Sequence, residues 1–255
     1  MIKEEFQWMT RLFERVFGKP PATTRYVLGT LPLLDGLDVP LPWGSAVAAG
    51  RSDDGTTSLF SMNHHDHGVV TPSTAPDWAR DSLKAMTAPP GIHLVVNREL
   101  PADMGLLTGA ETTDATTRAL QDLQDGTTAP TTAAPARGTC DLTGTDLRLL
   151  LIDVGTRSQA TVQPTAPETA KRAAAALADR PSDLGPLLTD AHTPGNPTHD
   201  ETLKAALDAG ALGGRTIGTC VATLAPAPAV PAIRKQVTAR LAPNLPRPPR
   251  YLTAG

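Results

Sequence analysis

The sequence predicts an α+β protein of two unequal lobes, and three observations carry that prediction. Segments of helical and strand periodicity are intermixed in both halves, without an internal repeat. A proline-broken, small-residue stretch, DGTTAPTTAAPAR (125–137), interrupts them and reads as a linker, which puts the lobes at 1–137 and 138–255. Directly after it, LRLLLIDV (147–154) is apolar enough for a strand buried on both faces.

In chain order, Ile2, Phe6, Met9, Leu12, Phe13 and Val16 recur at three- and four-residue steps. They predict an amphipathic helix over 2–17, ended by Gly18-Lys19-Pro20-Pro21. Between Arg25 and Val47 the apolar runs are broken by Gly29, Pro32, Gly36, Pro40 and Pro42, which suits strands and turns. Residues 45–62 read as a hairpin turning at Ser52-Asp53-Asp54-Gly55, with Asp-Gly as the turn signal. A short helix from Asp77 to Met86 and a strand, IHLVVN (92–97), follow. Thr108–Leu123 is helical despite its threonines. Beyond the linker come helices at Pro167–Ala178 and Glu201–Ala211, a strand at Thr219–Leu224 and a helix at Val230–Leu241.

The composition excludes several function classes. The 23 Lys+Arg against 26 Asp+Glu leave a net charge of −3, without the basic face that nucleic acid or an anionic membrane demands. No apolar run approaches the roughly 20 residues of a bilayer span. The acidic, amphipathic start resembles no secretory signal. With only Cys140 and Cys220, neither a disulfide framework nor a cysteine-based zinc site is available, and a reducing cytoplasm fits. Aromatics are 4% of the chain, so Leu, Val and Ala must build the core. The Ala/Pro/Thr/Arg bias fits a high-GC bacterial genome.

Several segments, in order, resemble galactokinase, a member of the GHMP small-molecule kinase superfamily. They are RLFERVFGKPP (11–21), the SDDG segment, PGIHLVVNRELPADMGL (90–106), LRLLLIDVGTRS (147–158), ALDAGALGGR (206–215) running into TCVATLAP, and YLTAG at the end. GALGGR is the sharpest of these. The resemblance spans nearly the whole chain and implies a ribosomal-S5-like N-terminal lobe with a ferredoxin-like C-terminal lobe.

It also implies a kinase site, from which this sequence departs at each motif. Arg25 and Gly29 match the sugar-binding motif, but Thr30, Leu31 and Leu33 stand where its Glu, His and Asp would be, and leucine offers a hydroxyl nothing. The phosphate loop reads DMGLLTGA (103–110). Such loops cradle phosphate with backbone N–H groups at a helix N-terminus. Asp103 instead sets a carboxylate there, at about 1–4 kcal/mol for a unit charge some 4 Å from a phosphate. The catalytic Asp segment has no counterpart, and the third, glycine-rich loop shrinks to TIGTC after Arg215. Phosphoryl transfer rests on positioning and charge neutralisation, so together these losses imply a GHMP fold without ATP chemistry, and no cofactor.

Replacement chemistry is sought in NHHDHG (63–68). If extended, His65 and His67 share a face and His64 takes the other. Imidazoles beside Asp66 suit acid/base work near neutral pH or a divalent metal, and otherwise form a solvated loop; no metal is assigned. His64, His65, His67 and Arg25 are the catalytic candidates, with Arg25 either gripping an anion or pairing with Asp35 or Asp38. Asp35, Asp38, Trp43, Asp103 and Thr108 are the substrate-binding candidates, with turn or packing roles as their plainer alternatives. His192 and His199 are expected to be exposed, Asp200 to cap the following helix, and Cys220 to be an inert buried thiol.

The leading expectation is an ATP-independent enzyme of bacterial specialised metabolism, acting by side-chain acid/base chemistry on a sugar-like or other polar metabolite. Its partner would be that small molecule, not nucleic acid or membrane, and a homo-oligomer is compatible. The competing readings are a non-catalytic pseudokinase that binds a ligand or partner subunit, and a residual sugar kinase.

Overall fold

Helix α1 (Ile2–Phe17) lays one stripe on a sheet, as its spacing requires. Met9 and Phe13 are fully buried against Tyr26, Ala46, Ala48 and Val95, with Phe6, Leu12 and Phe17 at the margin. In this computed structural model, residues 2–79, 82, 91–100, 104–107, 109–133, 140–156 and 166–254 are described. They divide into two units, one of Met1–Gly29, Pro42–Ala102 and Leu107–Ala136, the other of Thr30–Leu41, Asp103–Leu106 and Arg137–Gly255.

The first unit is built on a five-stranded sheet. Its strands are β1 (Thr23–Leu34), β2 (Leu37–Arg51), β3 (Ser58–Ser61), β4 (Ile92–Arg98) and β5 (Thr131–Ala133), in the order β3-β4-β2-β1-β5. The outer residues of β1 and β2, 30–41, group with the second unit. Alternation along the strands sorts the core into two faces. Ala46, Ala48 and Val95 face α1, while Val47, Ala49, Leu94 and Val96 pack with α2 (Ala110–Asp125) through Ala115, Ala119, Leu120 and Leu123.

Two expectations are corrected here. The hairpin over 45–62 does not form, because β4 lies between its arms: β2 pairs with β4 antiparallel and β3 pairs with β4 parallel. The Asp54 carboxylate organises the intervening loop locally, accepting from Ser52 Oγ and from the Thr56 N–H at 2.9 Å. Gly91 packs over it, where an added Cβ would stand 3.2 Å from the Gly55 Cα. One face of IHLVVN (Ile92, Leu94, Val96) enters the core beside α2, while His93, Val95 and Asn97 turn toward α1, and its pairing with strands on both sides is not written in the local turn chemistry. The second correction concerns only part of the expected linker, since residues 134–137 lie outside the described residues and the two units divide at Ala136 and Arg137. Helix α2 runs to Asp125, Gly126 closes it at φ +70°, and Thr131–Ala133 pairs parallel with Arg25–Val27 as an edge strand. Of the expected helix 77–86, Asp77–Ala79 forms a 3-10 turn, and residues 80, 81 and 83–86 lie outside the described residues.

The second unit carries an antiparallel four-stranded sheet. Its strands are β6 (Leu147–Asp153), β7 (Gly213–Ile217), β8 (Cys220–Pro226) and β9 (Arg250–Ala254), in the order β7-β8-β6-β9. Strand β6 is central and buried along its apolar length, as its sequence demands. Leu150, Ile152, Val221 and Ala225 pack against α5 (Pro197–Asp208) and α6 (Val230–Leu241) through Leu203, Ala206, Ile233, Val237 and Leu241. Helices α3 (Pro167–Asp179) and α4 (Leu184–Asp190) precede them. Asn196, not Asp200, caps α5, accepting from the N–H groups of Thr198 and His199. Among the described residues, no helix is long and apolar enough to cross a membrane.

Candidate active site

Strand β4 delivers Arg98 to the N-terminus of α2, and the polar centre of the first unit grows from that meeting. Glu111 sits in the first turn of α2 with its side chain 3% exposed. Its carboxylate accepts the Gly109 N–H at 3.1 and 3.2 Å. Arg98 Nη2 donates to Glu111 Oε1 at 3.3 Å and to the Leu107 carbonyl at 2.7 Å. Thr112, next in the helix, shares a 2.8 Å hydrogen bond with Ser45 of β2. The free N–H groups of a helix start and their partial positive charge attract an anion. Here that anion is part of the chain, with a guanidinium as its counter-charge.

The histidine segment lies against the same strand. Residues Met62–His67 form a 3-10 turn kinked at His64, and Asn63 ties it to β4 by accepting the Arg98 N–H and donating to the Arg98 carbonyl, both at 2.7 Å. Side chains three apart eclipse in such a turn, so His64 and His67, not His65 and His67, come together. The rings of His64 and Trp78 are stacked with centroids 5.1 Å apart and planes within 10°. His67 approaches the same indole at 6.2 Å and His64 at 6.3 Å. Burial, then the neighbouring His67, holds His64 below the ordinary histidine value, so it is neutral near pH 7, and the Arg98 charge acts in the same sense. His65 is exposed and stands outside the group. His67 is 3.9 Å from Asp66, and both are exposed. Among the described residues, no three His, Cys, Asp or Glu side chains converge as a metal site would need.

Arg25 does not pair with Asp35 or Asp38. It makes a two-pronged ion pair with Asp122 of α2, which also accepts from Thr23 Oγ1 at 2.7 Å. Both of the fork's parallel N–H groups are therefore spent on fastening β1 to α2. Asp35 and Asp38 belong to the second unit. Asp35 is exposed at the β1–β2 turn, and its charge offsets part of the fall that burial imposes on Arg215. Asp38 is half-buried in β2, and its carbonyl accepts the Cys140 N–H at 2.7 Å. Trp43 is half-buried in β2 of the first unit. Asp103 and Thr108 lie outside the described residues.

In the second unit the two turns that the resemblance assigns to phosphate loops press together. Gly218 has φ +57° and Gly105 φ +66°. A Cβ added to Gly218 would stand 2.6 Å from the Met104 carbonyl oxygen and 2.9 Å from that of Gly105. The Thr219 N–H donates to the Met104 carbonyl at 3.1 Å, so this backbone donor points inward at protein. His192 and His199 are not exposed as expected. His199 is buried with Nε2 2.7 Å from Thr156 Oγ1, and burial lowers its pKa. His192 Nε2 meets Asp200 Oδ1 at 2.9 Å, and its Nδ1 accepts the Thr216 N–H at 3.3 Å. Cys220 is buried, and burial pushes the Cys140 thiol up to about 11, so Cys140 is not a thiolate near neutral pH.

Sequence reasoning missed Glu111, Arg98, Trp78 and Asp122. Glu111 carried a usable signal, an acidic residue in a first helical turn. The other three did not, since their partners are distant in the chain.

No family model and none of the curated proteins compared matches this sequence. Solved structures do. The galactokinase of Lactococcus lactis, determined with galactose, is similar over 98% of this chain and 97% of its own, with a TM-score of 0.72 at 16% identity. Homoserine kinase from Cytophaga hutchinsonii is similar over 90% and 93%, with a TM-score of 0.55 at 15% identity. The mevalonate kinase of Methanococcus jannaschii is similar over 91% and 97%, with a TM-score of 0.57 at 11% identity. The chain has the fold these small-molecule kinases share.

Proposed function

We propose that this chain, which has the two-lobed GHMP-kinase fold, has given up ATP-dependent phosphoryl transfer. In its place, side-chain acid/base chemistry acts on a sugar-like or other polar small metabolite, in bacterial specialised metabolism. One observation carries the first half. The helix start where a kinase of this fold would seat triphosphate oxygens is taken by Glu111, which uses the Gly109 N–H and the Arg98 guanidinium itself. A phosphate brought there would meet a buried carboxylate, and repulsion between unit charges about 4 Å apart runs to 1–4 kcal/mol at screened and partly screened sites. The contact of Gly218 with Met104 and Gly105 points the same way. The residues present do not fit ATP, and no step is routed through it.

For the second half, His64 is the group prepared to accept a proton. A base that is neutral at working pH and fixed in orientation is what general catalysis requires. Burial keeps the imidazole unprotonated, and the Trp78 face and the Asn63–Arg98 clasp fix its ring. His67, exposed and sharing the indole, lies open to solvent beside it. His65 drops out of the reacting set, and Arg25 becomes an anchor.

The test has two arms. Calorimetry with Mg–ATP, and labelled ATP with a sugar panel, should show neither saturable binding nor transfer; label appearing on a sugar would establish the residual kinase. The protein incubated in D2O with polar metabolite extracts should introduce deuterium into, or convert, a metabolite detectable by mass spectrometry. His64→Ala should slow that conversion by about 100-fold or more. Absence of any conversion, or full conversion by the His64→Ala and His67→Ala variants, sinks the acid/base reading and leaves the pseudokinase.

A further inference from the structure

Strand β6 ends at Asp153, whose side chain is 0% exposed. One carboxylate oxygen, Oδ1, accepts the Gly155 N–H at 2.8 Å. The other, Oδ2, receives two guanidinium groups: Arg250 through Nη2 at 2.8 Å and Nε at 3.2 Å, and Arg247 through Nη2 at 3.4 Å. Neither arginine is consumed by this. Arg247 is 41% and Arg250 50% exposed, and among the described residues their remaining N–H groups have no acceptor. Each guanidinium carries five donors and stays charged at any physiological pH. Two permanent positive charges thus flank a single oxygen, with their outer donors facing water.

The backbone is shaped to allow it. Gly155 has φ +75°, a conformation open to glycine. A Cβ there would stand 2.7 Å from Arg247 Nε and 3.4 Å from its Cζ, so the guanidinium lies directly on the turn. Beside it, Thr156 is held against buried His199, and Asp200 of the same helix is hydrogen-bonded to His192.

We propose that this end of β6, with Arg247, Arg250 and the Gly155 turn, is a binding site for a small metabolite carrying a phosphate group. Two guanidinium groups meeting at one carboxylate oxygen, each with further donors, suit a tetrahedral oxyanion with several acceptors and up to two charges. Both guanidinium groups remain substantially exposed beside this one carboxylate. The site lies within the second unit and does not rest on the acid/base reading of the first.

The experiment titrates inorganic phosphate, glucose 6-phosphate and glucose into the full chain at constant ionic strength, with chloride as the balancing anion. The thermal midpoint and the arginine Nε–H signals in nitrogen–proton NMR spectra are read. Phosphate and glucose 6-phosphate should raise the midpoint and shift the Arg247 and Arg250 signals saturably, while glucose does neither. Arg247→Gln should weaken the response at least tenfold. Because loss of either arginine leaves Asp153 less compensated, Arg247→Lys and Arg250→Lys are the decisive arms. They keep the charge beside Asp153 but lose the planar fork, and should also bind several-fold more weakly while remaining folded. Equal responses in wild type and all variants, or a phosphate effect no larger than that of chloride, would overturn the proposal.

Discussion

Glu111 and Asp122 show how single carboxylates decide the character of the first unit. Each is buried, each faces an arginine from a β-strand, and each sits on α2. Burying a charge is tolerable only when its partners are present, and removing one partner exposes the full penalty. Glu111→Ala should therefore cost about 3–5 kcal/mol in denaturant unfolding, because Arg98 loses its counter-charge and the Gly109 N–H its acceptor. Glu111→Gln, which keeps the shape and one acceptor oxygen, should cost less. If both variants unfold within about 0.5 kcal/mol of the wild type, Glu111 is not the internal counter-anion described above. His64 behaves differently. Its ring is held by stacking and burial, so substitution should alter proton transfer more than stability.

At the scale of elements, glycines set which pieces can touch. The GALGGR string is a packing device in this fold. A Cβ on Gly213 would overlap the Gly185 carbonyl oxygen of α4, and one on Gly214 would stand 2.5 Å from the Ala222 carbonyl oxygen of β8. Strand β7 therefore passes close to α4 only because Gly213 lacks a side chain, and lies close against β8 because Gly214 lacks one. Gly213→Ala should lower stability by about 2–3 kcal/mol, the range for overpacking a filled site. Gly195→Ala is the control, since nothing lies within 4 Å of its added Cβ, and its midpoint should stay within about 0.5 kcal/mol of the parent. Equal effects would mean that the close approach does not limit β7. The misplaced hairpin belongs to this scale too. Asp54 and Gly55 do make a turn-like loop, but the identity of the neighbouring strand was decided by β4, which offers both of its edges to partners distant in the chain.

Across the whole molecule, pH should act through histidines whose pKa values the fold lowers. Burial is the largest cause for His64 and His93 in the first unit and for His199 in the second. A depressed folded-state pKa means that the unfolded chain binds more protons once pH falls below the unfolded value near 6.5. Their stabilising contribution is complete above that value and is lost as pH falls through it toward the folded values. Unfolding free energy should thus decline from pH 7 to pH 5. Trp8, Trp43 and Trp78 all lie in the first unit, so fluorescence reads His64 and His93 there, while far-UV circular dichroism also includes the second. His199→Gln should flatten the decline in dichroism and leave that in fluorescence unchanged. A parent protein equally stable at both pH values would contradict the burial of these rings.

The sequence by itself determined the helices at 2–17, 167–178 and 230–241 and the strands at 92–97 and 147–154, each to within a residue, and an order of segments that suits the fold shared with the small-molecule kinases. These follow from periodicity and breakers, which act over a few residues and are written in the local chain. Only the tertiary structure decided that β3 runs beside β4, that the carboxylate gripping Arg25 comes from Asp122, 97 residues away, and that His199 is buried. It also decided that Glu111 meets Arg98, and that His64 rather than His65 joins His67. A charged or aromatic side chain announces that it needs a partner, but which one it finds depends on how separate elements are brought together in space.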